Sequence, residues 1–358
     1  MIITTIIFIL SLVLLVVIHE FGHFLMARKF GIKVEEFGFG IPPRIIGKKI
    51  GETLVSLNWL PLGGFVRLLG EDETDSKVLK NPRSFAAHSA KERIVVVVAG
   101  VVMNLLLAWV LFYIVLIAGN FKIFHPAAEP SVYVARTIDN FPAQAAGLKN
   151  GDQVLQIDGQ KITNITQAVE IIKSKDRQSV TLEIKDTAGN HKTLKLTPQK
   201  TDDGDRIIGV IFGISSLKEY KTIPEKVFSG VSYSWDLTKL TFAGLGQLLH
   251  NLAVGEFKTA SQSVSGPVGL ATASNNILKV GVLPYAWFLG LISLTLAIFN
   301  ILPIPALDGG RLFFLMVEAF FGKKLKAETE KLIHTIGFAI LIGLSLLVVF
   351  SDIGKLLP

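Results

Sequence analysis

The sequence predicts an α-helical polytopic membrane protein: four transmembrane helices, a membrane-associated β-element and an inserted soluble α+β domain. Three observations carry this prediction. Half of the 358 residues are hydrophobic and only 18% are charged, with a mean hydropathy of +0.51, which is too apolar for an ordinary water-soluble chain. Apolar runs close to the ~20 residues that a helix needs to cross a bilayer occur four times. Between the second and third runs lies a long polar stretch with the short alternating segments of a soluble fold.

The first run covers residues 2–18 and continues to about residue 26. A cleaved signal peptide fits it poorly, because no basic segment precedes it and no small-residue cleavage site follows. The second run, "RIVVVVAGVVMNLLLAWVLFYIVLIAG", spans 93–119, the third about 285–302 and the fourth about 333–350. Arg28, Lys29 and Lys33 follow the first span, and Arg83, Lys91 and Arg93 precede the second. Arg311, Lys323, Lys324, Lys326 and Lys331 lie between the third and fourth. The positive-inside rule therefore puts both of these loops in the cytoplasm and the long central segment outside. The formal charge of +7 is accounted for by such loops and by anionic lipid, and no basic block interleaved with aromatics points to nucleic acid. No internal repeat is present.

Four regions follow from this reading. Residues 1–125 hold the first two spans and, at about 33–71, an apolar stretch with strand-like alternation broken by Gly and Pro. Such backbone beside a membrane must be buried in protein or line a cavity, so it reads as a β-element dipping into the membrane. Residues 126–200 form the soluble domain. In it "SVTLEIK" and "KTLKLT" are strands around a "TAGN" turn, and "ITQAVEIIKS" is a helix capped by Thr163 or Asn164. The phrase "AAGLKNGDQVLQIDGQKI" resembles PDZ domains, which implies a peptide-binding groove. Residues 201–284 are a linker with amphipathic interfacial helices, the clearest over 222–254. Residues 285–358 carry the last two spans.

The chemistry concentrates at two places. "HEFGH", His19 to His23, lies inside the first span. Positions i and i+4 share a helix face, so both imidazoles can address one ion, and Glu20 reaches the same region as a base. The chain has no cysteine, so any metal must use His, Asp or Glu; two imidazoles suit zinc, and catalytic zinc usually takes a third protein ligand. Taken alone, the pattern is equally open to a buried histidine pair with polar partners or to an interfacial charge cluster. The second place is "FNILPIPALDGGRL" at the end of the third span. There Asp308 sits among prolines and glycines, at the same inner depth as His19 and His23 by the topology above. His19, His23 and Asp308 then make a two-histidine, one-carboxylate zinc set.

These motifs in this order resemble the site-2 protease family of intramembrane zinc metalloproteases, in the bacterial branch of the regulator-of-sigma-E protease. The matching elements are "HEFGH", "FGFG", "PLGGFVRL", "AGVVMN" and "NILPIPALDGG", and with a PDZ-like insert they span essentially the whole chain. The resemblance implies Zn²⁺ as cofactor, Asp308 as its third ligand, Asn300 holding substrate, and Asn104 near the catalytic centre. Gly38, Gly40, Gly63 and Gly64 would let the β-element approach an unwound substrate closely. It further implies a bacterial inner-membrane location and single-span substrates such as anti-sigma factors or remnant signal peptides. Val101 stands where many members carry proline, and there is room for one PDZ-like domain where some members have two. A non-proteolytic scaffold with a structural metal is the competing reading, and Glu20 argues against it, because a structural site needs no base. A transporter would be expected to show repeats. His88, His125, His191, His250 and His334 show no partner pattern; Glu35, Glu36 and the 71–75 acidic run read as solvated loop charges.

Overall fold

The computed structural model describes residues 2–71, 75–126, 131–174, 178–200, 206–213, 215–322 and 327–356. Lys323, Lys324 and Lys326, and residues 72–74 of the acidic run, lie outside the described residues. The chain divides into two compact units, residues 1–115 with 234–358, and residues 116–233.

In the first unit, α1 (Ile2–Lys29), α2 (Ala90–Ala118) and a later pair are apolar and long enough to cross a membrane. The 28 residues of α1 extend about 42 Å at 1.5 Å per residue, beyond the ~30 Å of hydrocarbon. It ends on Arg28 and Lys29, which complement the exposed carbonyls of its last turn. A capping box opens α2: the Glu92 amide donates to Ser89 Oγ at 3.3 Å and the Ser89 amide to Glu92 Oε2 at 3.0 Å.

Between α1 and α2 lie two long bent strands, β1 (Val34–Ile50) and β2 (Thr53–Leu68). Their register makes a four-segment mixed sheet, antiparallel except that residues 36–39 run parallel to 54–57. Residues 54–57 pair with 46–49 on one side and with 36–39 on the other, and 36–39 pair in turn with 64–67. The 36–39 segment is therefore interior, while 64–68 is an outer strand. Ala27, Ile32, Val34, Leu68, Phe85, Val96 and Val97 form one buried cluster that ties this element to α1 and α2. Glu36 is a correction to the reading of a solvated charge: it is 4% exposed and paired with Arg44 and Arg67.

The second unit holds the inserted α+β domain. Its strands are β3 (Lys122–Pro126), β4 (Val132–Thr137), β5 (Gln153–Ile157), β6 (Val180–Lys185), β7 (His191–Leu196), β8 (Val210–Gly213) and β9 (Ser215–Glu219). The main sheet runs β8-β4-β5-β6-β7, with Gln160–Lys161 pairing on β5; β3 pairs with β9. The helix α3 (Ile165–Ser174) is capped by Asn164, whose side chain accepts the Gln167 amide at 2.8 Å. Val132, Val154, Ile157, Leu182 and Ile184 form one buried cluster with Ala168 and Ile172 of the helix, Leu182 and Ile184 at alternating positions of β6. The sheet takes β8 from beyond residue 200, because its alternation is too short to register as a strand in the sequence.

The helix α4 (Ile223–Ala253) begins within the second unit, where it opens with a Thr222–Glu225 capping box, continues into the first unit, and exposes Phe228 and Trp235. It is followed by α5 (Pro267–Val280), α6 (Val282–Ile301), α7 (Asp308–Phe321) and α8 (Ala327–Leu356). The sequence does not announce α7: its 14 residues are too few for a span and follow a Pro- and Gly-rich turn. Leu312 and Leu315 on its inner face join the cluster of Phe85, Val96 and Val97, and Arg93 of α2 pairs with its Glu318 at 2.5 Å.

Candidate active site

His19 and His23 sit on successive turns of α1, and Gly22 lets that face press on α2. A Cβ there would lie 2.7 Å from the Ala99 carbonyl carbon and 2.8 Å from Met103 Cγ. Opposite, Asp308 is the first residue of α7, where its charge also complements the helix dipole. His19 Nε2 lies 2.8 Å and His23 Nε2 3.3 Å from Asp308 Oδ2, and the two Nε2 atoms are 3.1 Å apart. Side-chain exposures of 8%, 12% and 29% for His19, His23 and Asp308 leave the cluster enclosed and open on the carboxylate side.

The imidazole orientations suit a cation. His23 Nδ1 donates to the Val96 carbonyl at 2.9 Å, an acceptor only, so Nε2 keeps its lone pair for the cluster. His19 Nδ1 lies 3.3 Å from the Asn104 amide, and Asn104 Oδ1, buried in α2, has no hydrogen-bond partner. With the amide turned so that Oδ1 faces His19, the imidazole N–H is accepted and Nε2 is again free to bind. The donor separations approach the ~3.3 Å expected between ligands of a tetrahedral ion with ~2 Å bonds. Two nitrogens and a carboxylate oxygen within 4.8 Å of one another thus fit zinc by chemistry and by spacing. Gly100 completes the cradle: a Cβ there would meet His23 Cε1 at 2.7 Å and His19 Cε1 at 2.8 Å.

Glu20 faces two cavities. One, of about 210 Å³, is lined by Glu20, His23, Phe65, Val66, Asp308 and Arg311 among others. The other, of about 190 Å³, is lined by His19, Glu20, Asn104, Asn300 and Asp308 among others. Asn300, at the end of α6, comes within 3.5 Å of His19 Nε2. The outer strand of the β-element adjoins Glu20: the Val66 backbone hydrogen-bonds to it, and a Cβ on Gly64 would lie 3.5 Å from Glu20 Cγ. Gly63 (φ +93°) is on the same stretch. Gly38 and Gly40 are not at an open edge. Gly38 lies under the Phe65 ring and Gly40 (φ +79°) against the Leu60 carbonyl, inside the sheet.

Some site features were out of reach of sequence reasoning. The Val96 carbonyl and the bare backbone of Gly100 carry no side-chain signal. Glu71 is a correction to the reading of a solvated loop charge: it is largely buried and paired with Arg311 beside the larger of the two cavities. His334 also acquires a partner, the Ala306 amide, at 3.0 Å.

The model of Peptidase family M50 matches residues 7–344. The chain belongs to peptidase family M50. A Clostridium perfringens protein with a zinc metalloprotease designation is 35% identical to this M50 peptidase over 341 residues, 95% of each chain. The regulator of sigma-W protease RasP of Bacillus subtilis is 30% identical over 433 residues, 99% of each chain, and the zinc metalloprotease RasP of Geobacillus kaustophilus is 29% identical over 417 residues, 95% of each. A solved PDZ domain of an SdrC-like Listeria monocytogenes protein aligns with 24% of this chain and 90% of its own, at 24% identity and a TM-score of 0.22. The M50 peptidase is an intramembrane zinc metalloprotease that acts on membrane proteins.

Proposed function

We propose that His19, His23 and Asp308 hold the zinc of this M50 peptidase and that Glu20 is its general base, for cleavage of a peptide bond within or next to a transmembrane segment. The observation that carries this reading is the convergence of the three donor atoms with Glu20, which borders the two cavities that they also line. When bound there, zinc supplies Lewis acidity to polarise the scissile carbonyl and to make water nucleophilic near neutral pH. Glu20 takes a proton from the attacking water as its oxygen bonds to the carbonyl carbon. The same carboxyl then delivers that proton to the amide nitrogen as the C–N bond breaks. Asn300, and Asn104 beyond it, offer amides to the substrate backbone or to the histidines.

A helical substrate hides its amide bonds and must unwind first. The outer strand at residues 64–68, with the Gly63–Gly64 bend, lies next to Glu20 as an edge for strand addition, a substrate strand taking the place of Glu20 and Glu71 on the Val66 and Leu68 backbone. Gly38 and Gly40 support that strand from within. The substrates in this reading are single-span membrane proteins of the anti-sigma-factor kind, in keeping with the sigma-W regulator among the relatives, and remnant signal peptides. The enzyme lies in the bacterial inner membrane, its active site toward the cytoplasm and the PDZ-like domain outside, as the basic loops suggest. That domain reads a freshly cut carboxy terminus or filters substrates by size, and α4 lies along the outer interface. A scaffold with a structural metal is disfavoured by Glu20, which such a site does not use.

The test is cleavage of a tagged single-span protein and a panel of signal peptides by purified enzyme, compared with Glu20→Gln. Cleavage is expected to fall at least ~10²-fold, the usual worth of a general base, with zinc content unchanged. Cleavage that survives the substitution would remove Glu20 from the mechanism.

A further inference from the structure

Asp308 stands at the end of a tight turn that joins α6 to α7. Two residues before it, Ala306 has φ +75°, a left-handed conformation that a residue with a Cβ keeps only when its surroundings hold it. What holds it comes from α8. The Ala306 amide donates to His334 Nδ1 at 3.0 Å. The imidazole also meets the ring of Phe314 edge-on, at 6.0 Å and 71°. Three residues along the same helical face, Gly337 lets α8 run directly against the turn: a Cβ there would lie 2.9 Å from the carbonyl carbon and oxygen of Pro305.

These contacts stand out because α8 buries little else. Only 6% of its apolar window is buried. A further polar tie lies near its other end, where Asp352 accepts the Gly269 amide at 2.8 Å. The contact of α8 with the turn is therefore specific to two facing residues rather than part of a broad packed interface.

We propose that His334 is a positioning residue for the Asp308 carboxylate, its Nδ1 lone pair fixing the Ala306 amide and so the left-handed turn that sets Asp308 against His19 and His23. The proposal rests on the reading of Asp308 as a zinc ligand. An imidazole nitrogen accepts a hydrogen bond only when it carries no proton, so His334 acts as the neutral tautomer protonated at Nε2. Without that acceptor the turn relaxes toward ordinary φ. Asp308, two residues on, then moves by more than the ~0.2 Å that a metal–ligand distance tolerates.

The experiment uses the full chain in detergent and reads zinc affinity by competition with a chelator, alongside thermal stability of the zinc-free protein. His334→Leu and His334→Asn have similar size, but only asparagine presents an acceptor near the Nδ1 position; Asp308→Ala is the reference. His334→Leu is expected to weaken zinc binding by about 10–100-fold, the usual cost of losing a ligand's support, while His334→Asn restores most of the affinity and both zinc-free proteins melt near the wild type. Wild-type affinity in His334→Leu, or no recovery in His334→Asn, overturns the proposal. Loss of the zinc-free fold in His334→Leu does so too, since it marks a purely structural role. If Asp308→Ala binds zinc as the wild type does, the ligand assignment itself fails, whatever His334 does.

Discussion

Replacing Gly100 by alanine adds one methyl group to the wall of the histidine cluster. The new Cβ would stand 2.7 Å from His23 Cε1 and 2.8 Å from His19 Cε1, and nearer still to His23 Nε2. Carbon atoms at optimal contact are about 3.5–4.0 Å apart, so one ring or the other must retreat by roughly 0.7 Å or more. Metal–ligand distances tolerate about 0.2 Å, so the three donors can no longer meet one ion. The backbone opposes this loss: in the interior of α2, alanine is favoured over glycine by about 1 kcal/mol, against an overpacking cost of about 1–3 kcal/mol. The zinc-free protein should therefore change in stability by no more than about 2 kcal/mol, while zinc affinity falls by at least ~10²-fold, beyond the usual cost of an outer-shell change. The assay is zinc stoichiometry after dialysis and chelator competition, with thermal melting of the zinc-free protein and cleavage of a single-span substrate. Gly244→Ala, where the added methyl meets nothing within 4 Å, is the control and should leave all three unchanged. Wild-type zinc affinity in Gly100→Ala would refute the placement of the two imidazoles against α2.

Other substitutions separate binding, chemistry and stability. Asn104→Leu should weaken zinc by about 10-fold or more through loss of the His19 tautomer lock, read by the same chelator competition. Gly64→Val crowds Glu20 Cγ, 3.5 Å from a Cβ at that position, and the Gly38 carbonyl at 3.0 Å. Its kcat should drop by up to ~10²-fold, the cost of an ångström-scale misplacement, with zinc content intact. Glu318→Ala leaves Arg93, 5% exposed, without its carboxylate. It should cost about 3–5 kcal/mol in detergent denaturation, whereas Arg93→Met with Glu318→Leu should recover most of that loss.

The chemistry and its setting were legible in the sequence because both depend on local pattern. An i, i+4 histidine pair lies on one helix face whatever packs around it, and its place in an apolar run marks ionisable groups that must have a purpose. Asp308 was reachable by a longer argument, since loop charges set the direction of each span and direction sets depth. The cap at Asn164 is equally local: a side chain bonding an amide three residues away.

The rest arises between segments distant in the chain. Glu36 and Glu71 look like surface charges until Arg44, Arg67 and Arg311 are brought to them by the pairing of β1 with β2 and by the docking of α7. The interior place of Gly38 and Gly40 depends on β2 folding back along both sides of residues 36–39. The tautomers of His19 and His23 are set by Asn104 and by the Val96 carbonyl on another helix, and the turn before Asp308 by His334 on yet another. By itself the sequence determined which residues are candidates for the chemistry and which segments are apolar enough to span, because residue type and helical period act over one or two turns. Only the tertiary structure decided how those residues are aimed, because a hydrogen bond to a backbone group has no signature in the residue that supplies it.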